Sequence, residues 1–234
     1  MDLKIEKVKE SRIKEVDFSK LSFGRTFADH MFICEYKDGK WQNPTIKPYG
    51  ALSLEPSASV FHYGQAVFEG MKAYKDDNGH VFLFRPQENY KRINKSCERL
   101  AMPAFPEEWF DKALRTLVDI DSEWIKPGFG NALYLRPFVI ATTPGVQASP
   151  AKDYLFIIIT APVQSYYSGD VRVKIADYYS RAANGGFGFA KAAGNYAGQF
   201  YPTQQAAAEG YQQVMWTDDA THQYLEEAGT MNLW

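Results

Sequence analysis

The chain has 234 residues, 45% of them hydrophobic and 15% aromatic, with a formal net charge of -2. That is enough apolar material for a packed core, and it excludes a disordered chain; dispersed basic residues exclude an electrostatic footprint for nucleic acid. No apolar run reaches membrane-spanning length, the N-terminus is charged without a signal-peptide core, and Cys34 and Cys97 lie far apart with no metal-ligand spacing, so a cytoplasmic protein with two reduced thiols, no metal and no membrane partner is expected.

The first part reads as strands. Residues 30–36 and 40–46 flank Asp38-Gly39, and residues 68–74 and 80–84 flank Asp76-Asp77-Asn78-Gly79; both are hairpin signals. The period then changes. Pro86 opens a helix in which Arg85, Asn89, Arg92, Ser96 and Arg99 form one polar stripe, with Tyr90, Ile93 and Cys97 on another face. Pro106 opens a second helix, with Trp109, Phe110, Ala113, Leu114, Leu117 and Val118 at helical spacing, ended by Lys126-Pro127-Gly128. Strands are expected at 132–141, 154–161 and 171–176. A helix is expected through 204–209, closed by Gly210, with its start blurred by Pro202. Short strands follow at 213–217, 223–227 and 230–233. The class is α+β.

One lysine is set apart by its surroundings. Lys191 stands in Arg181-Ala182-Ala183-Asn184-Gly185-Gly186-Phe187-Gly188-Phe189-Ala190-Lys191-Ala192-Ala193-Gly194-Asn195-Tyr196. Glycine allows close backbone approach to a ligand, and a lysine that has lost its proton is a nucleophile able to condense with a carbonyl. Taken alone, the pattern is better described as a surface loop with a solvated lysine.

That stretch and four others resemble, in order, the branched-chain aminotransferases of the fold-type IV pyridoxal-phosphate enzymes. The others are Phe61-His62-Tyr63-Gly64-Gln65-Ala66-Val67-Phe68-Glu69-Gly70-Met71-Lys72-Ala73-Tyr74, Phe84-Arg85-Pro86 through Arg92, Leu133-Tyr134-Leu135-Arg136-Pro137, and Glu226-Glu227-Ala228-Gly229-Thr230-Met231-Asn232. The resemblance implies two domains: an N-terminal α+β domain over 1–161, a connector over 162–170, and a pyridoxal-phosphate-binding domain over 171–234. Because the family continues further, this second domain is expected to be incomplete and the chain to bind cofactor weakly. The implied reaction is transamination of L-leucine, L-isoleucine and L-valine with 2-oxoglutarate, in a homodimer.

The resemblance also assigns roles. Lys191 is the cofactor lysine and proton shuttle, Arg92 the phosphate contact, and Tyr196 the partner of the cofactor's ring oxygen. Glu227 is the acid at the pyridine nitrogen, and Thr230 packs on the ring face. Adjacent strand residues face opposite ways, so Glu226 is expected on the solvent side. Tyr63, Phe68, Tyr134 and Arg136 line the substrate pocket; Tyr134 and Arg136, two apart on one strand, share a face. Other readings of the same residues are a D-amino acid aminotransferase, an aminodeoxychorismate lyase, or an inactive truncated homologue serving as a binding or dimerising module.

Overall fold

The structure, a computed structural model, describes residues 2–164 and 169–233. A short strand β1 (Lys4–Ile5) runs parallel to β3 (Lys40–Pro48), which folds back on β2 (His30–Lys37). The turn between β2 and β3 is Asp38-Gly39, with φ of 53° and 76°. Positive φ at both positions matches the twist of the flanking strands. The second predicted hairpin joins β5 (Met71–Lys75) to β6 (Val81–Leu83); the Asp76 carboxylate accepts from the N–H groups of Asn78 and His80 to shape its turn.

One large sheet follows the order β1-β3-β2-β8-β7-β5-β6, with β7 (Ala132–Ala141) and β8 (Tyr154–Val163) at its centre and β4 (Ala66–Phe68) also paired to β7. The strand expected over 68–74 is thus split into β4 and β5 at Glu69-Gly70. Pro137 explains the break. The Glu69 N–H donates to the Pro137 carbonyl at 2.7 Å, but proline has no N–H to return, so one ladder bond is missing. Strand β8 runs to Val163, into the span predicted as connector; residues 165–168 of that span lie outside the described residues.

Helices α2 (Pro86–Arg99) and α3 (Glu107–Ile120) complete the first core, and a short α1 (Ser59–Tyr63) precedes β4. Phe110, Ala113, Leu114, Leu117 and Val118 of α3 are buried as their spacing predicts. Phe105 stacks on Phe156 of β8 with centroids 3.8 Å apart. Truncating a fully buried leucine such as Leu117 to alanine costs about 2–5 kcal/mol.

Helix α3 ends at Ile120, ahead of the predicted Lys126-Pro127-Gly128 stop, because Asp121 turns inward. Its carboxylate takes the His30 N–H at 3.1 Å and His30 Nδ1 at 2.7 Å. His30 Nε2 accepts the Val8 N–H at 3.0 Å, which puts the ring proton on Nδ1. Burial pushes the Asp121 carboxyl up in spite of the His30 hydrogen bond. Neighbouring Asp29 accepts from Ser11, from the Arg12 N–H and from Trp124 Nε1. These two acids tie the N-terminal segment to the end of α3.

The chain divides into two units, Met1–Tyr166 and Tyr167–Trp234. In the second, β10 (Gln213–Thr217) lies between a parallel β9 (Val173–Ile175) and an antiparallel β11 (Leu225–Ala228). The crossover from β9 to β10 carries the Lys191 loop, then α4 (Ala193–Ala197), which periodicity did not reveal, and α5 (Phe200–Ala208). Pro202 falls in the first turn of α5, where its missing N–H breaks no helical bond. Ala176, Ala206, Val214 and Trp216 form the small core of this unit. The strand expected over 230–233 is absent; Met231 makes a single bridge to Ala228.

Cys34 and Cys97 are both free and buried, and burial pushes each thiol up to about 12. An unfolded thiol titrates near ~8.5. The contribution of the two thiols to stability is therefore full below that value and is lost as pH rises from there through 12. At pH 8 neither thiol should react with Ellman's reagent in the native protein within minutes, while both should react once guanidinium unfolds it. Fast native labelling of either would contradict the packing described.

Candidate active site

Glu69 and Arg92 form the first constellation. Glu69 is fully buried, yet Arg92 on α2 is 51% exposed. Arg92 donates through Nε to Glu69 Oε1 and through Nη2 to Oε2, the latter at 2.9 Å. Oε2 also takes Asn89 Nδ2 at 2.8 Å and the Gly70 N–H at 3.1 Å. The polar stripe of α2 is thus in part an inward face: Asn89 and Arg92 meet the acid, and Ser96 is buried and donates to the Arg92 carbonyl. Removing one partner of a buried ion pair costs about 3–5 kcal/mol, and the exposure of Arg92 points to the lower end.

A second group sits on β7. Its residues alternate, with Leu133, Leu135 and Val139 in the core and Tyr134, Arg136 and Phe138 on the other face. Arg136 donates to the Tyr134 hydroxyl through Nη2 at 2.7 Å and Nε at 3.2 Å. Its guanidinium lies 4.4 Å from the centre of the Phe68 ring, and Phe23 meets Tyr134 edge-on at 5.0 Å. Phe68, Tyr134 and Arg136 are therefore together, as an aromatic wall with one cation. Tyr63 is placed differently: at the end of α1, its hydroxyl donates to the Val146 carbonyl. Gly70 is required by space. A Cβ there would stand 2.3 Å from the Tyr134 hydroxyl oxygen.

In the second unit, Lys191 Nζ donates to the Tyr196 hydroxyl at 2.7 Å. The loop before it is packed on itself: a Cβ at Gly188 would meet that of Ala182 at 2.3 Å, and Gly185 has φ of 75°. Asn195 clamps the loop from α4, donating to the carbonyls of Phe187 and Ala190. The glycines thus serve the folding of the loop as well as any approach to a ligand.

Arg181 joins this loop to β11. Its Nη1 donates to the Gly188 carbonyl at 3.1 Å and its Nη2 pairs with Glu227 Oε2 at 2.6 Å. The Arg181 side chain is 13% exposed and that of Glu227 44%. Arg181 Nε and Trp216 Nε1 are buried without hydrogen-bond partners among the described residues. Thr230 accepts from Gln213 Nε2 at 2.8 Å and lies in a turn, so no strand face presents it.

The alternation argument for Glu226 and Glu227 does not hold. Glu227 pairs with Trp216 and Leu225 with Thr217, so the register shifts and Glu226 is the extra, bulged residue. Both glutamates line one open hollow of about 480 Å³ with Met231, Asn232 and Leu233. The turn before β11 is set by Asp218, whose carboxyl is held well below its usual range, chiefly by the Tyr224 N–H and then by Thr221.

Sequence reasoning missed Glu69 and Arg181. Glu69 carried a signal, a lone acid inside the apolar run Ala66-Val67-Phe68-Glu69-Gly70-Met71. Arg181 carried none beyond its place at the head of the glycine-rich loop. Among the described residues no group of three or more histidine, cysteine or acidic side chains could hold a metal ion, and no helix is long and apolar enough to cross a membrane.

The family model for amino-transferase class IV matches residues 66–234. The chain is 48% identical to branched-chain-amino-acid transaminase 1 of Bacillus subtilis over 100% of this chain and 67% of that protein. It is 47% identical to branched-chain-amino-acid aminotransferase 2 of the same organism, over 93% of this chain and 61% of that one. It spans about two thirds of the length of such relatives. Among solved structures, the branched-chain aminotransferase of Thermoproteus uzoniensis with norvaline matches with a TM-score of 0.66 at 20% identity, covering 86% of this chain and 63% of that one. The Escherichia coli enzyme gives 0.64 at 22% identity, over 86% and 61%. The fold is shared with these enzymes, and the chain belongs to the class IV aminotransferase family.

Proposed function

We propose that the chain carries out pyridoxal 5'-phosphate-dependent transamination, moving the amino group of L-leucine, L-isoleucine or L-valine to 2-oxoglutarate to give the branched-chain 2-oxo acids and L-glutamate. The observation that carries this reading is the Lys191–Tyr196 pair, an amine held 2.7 Å from a phenol behind a self-packed glycine loop. The names of the relatives, branched-chain transaminases, support the substrate class. The reading includes a cytoplasmic homodimer, consistent with two buried reduced thiols and with Phe82 and Phe84 exposed on and beside an edge strand.

The side chains fit the cofactor. Pyridoxal phosphate, when bound, supplies an aldehyde for covalent attachment and a ring that draws electrons from the substrate Cα. Lys191 would hold it and, once displaced by the substrate amine, would carry the proton between the substrate Cα and the cofactor C4′. Tyr196 orients the Lys191 amine and offers its hydroxyl to the ring oxygen. Glu227, an acceptor-only carboxylate, holds a proton on the pyridine nitrogen. Arg92 binds the phosphate, a task suited to a guanidinium, and Thr230 packs on the ring. Phe68 and Tyr134 receive the aliphatic side chain, and Arg136 the second carboxylate of 2-oxoglutarate.

Borohydride reduction of the holoenzyme and peptide mapping should place a pyridoxyl label on Lys191, and Lys191→Ala should abolish turnover of L-leucine. A label on another lysine sinks the assignment; faster turnover of D-alanine than of L-leucine sinks the substrate class. Glu227→Gln should lower kcat at least tenfold, about 1.4 kcal/mol of lost transition-state stabilisation, and Glu226→Gln less than threefold. Equal losses would mean that the bulge presents both acids to the cofactor. Gly70→Ala should displace Tyr134, raising the KM for L-leucine while the affinity for cofactor stays within a factor of two, and lower stability by about 1–3 kcal/mol. An unchanged KM would separate Tyr134 from the substrate.

A further inference from the structure

The assignment of Arg92 to the phosphate leaves Glu69 to be explained. We propose, resting on that assignment, that Glu69 is a positioning residue: its buried carboxylate fixes the guanidinium of Arg92 for the phosphate of the cofactor.

The geometry supports this on three counts. First, Glu69 is itself immobile. It has no exposed surface, and besides Arg92 its Oε2 is held by Asn89 Nδ2 and by the N–H of Gly70. Second, it grips Arg92 at Nε and at Nη2, the two-point contact that sets both the position and the plane of a guanidinium. An arginine on a solvated helix face samples many rotamers, and ordering it on binding weakens affinity; one ordered in the folded protein does not carry that penalty. Third, half of the Arg92 side chain remains open to solvent although its inner edge is committed.

The same Phe68-Glu69-Gly70 segment reaches the other constellation. Phe68 lies under Arg136, and Gly70 leaves room for the Tyr134 hydroxyl. One interruption of the β4–β5 run therefore sets both the cation for the phosphate and the aromatic wall, and the Glu69 effect should appear on the phosphate side alone.

An opposite effect is possible in principle, since a carboxylate beside an arginine weakens its attraction for a dianion. Water screens that term at a half-exposed group, so geometry sets the sign. The experiment uses the full-length protein and compares dissociation constants for pyridoxal phosphate and for pyridoxal, which lacks the phosphate, by absorbance titration. Glu69→Gln is expected to reduce the preference for the phosphorylated form about tenfold, the scale at which partners that orient a binding group act. Glu69→Asp should recover part of it. Arg92→Met should remove the preference at least as fully, and adding Glu69→Gln to Arg92→Met should change nothing more.

A folded Glu69→Gln protein with an unchanged preference overturns the proposal, as does one with a raised preference that steepens with falling salt, or additive effects in the double variant. Should Glu69→Gln fail to fold, Asn89→Leu decides: it loosens Glu69 without unpairing it and should give a smaller loss in the same direction, and no loss overturns the proposal. An unchanged preference in Arg92→Met alone would instead remove the assignment of Arg92 to the phosphate.

Discussion

The first unit is organised around a negative charge taken out of water. Burying a carboxylate is tolerable only when donors replace the water it loses. Glu69 has four, one at Oε1 and three at Oε2, drawn from three places: the next backbone N–H, one turn of α2, and a guanidinium on the following turn. Asn89 and Arg92 are three apart, so one helix face supplies both side chains. The helix cannot rotate or slide without unpairing the acid. The position of α2 over the sheet, the split between β4 and β5, and the orientation of Arg92 are thus consequences of one requirement.

The two units meet their chemical tasks in different ways. In the first, Tyr134 and Arg136 ride on a central strand with neighbours on both sides, and pleat alternation aims them. In the second, Lys191 is on a loop, held by contacts rather than by a ladder: Tyr196 and Asn195 from α4, and Arg181 reaching across to β11. A side chain on a loop depends on such contacts for its placement, whereas one on a strand is placed by the ladder itself.

What was legible in the sequence is what depends on local chemistry. Asp38-Gly39 specified its turn because few residues accept positive φ at both positions. The apolar spacing from Trp109 to Val118 specified α3, and pleat alternation placed Tyr134 beside Arg136. What was illegible depends on partners distant in sequence. The end of α3 is set by His30, ninety-one residues away, not by the proline and glycine further on. The bulge at Glu226 arises from a register shift against β10, which no pattern within Glu226-Glu227 reveals. Arg181 pairs with Glu227 across most of the second unit, and the grouping of Phe68 with Arg136 rests on strand pairing that periodicity alone does not give.

Pro137 has an effect that reaches past its own position. In an antiparallel strand the N–H and C=O of one residue point to the same side. Because the Pro137 carbonyl serves Glu69, the missing N–H also lies on the β4–β5 side and leaves the β8 ladder whole. A central strand with one mute position can pair only where its neighbour does not need that donor. The neighbour with such a gap is Glu69-Gly70. If β4 and β5 slid by one residue, an edge of regular ladder would face the proline ring, and every side chain of the pair would change faces. The proline therefore acts as a keyed tooth that rejects wrong alignments during assembly, and the alignment it admits is the one that delivers Glu69 to Arg92.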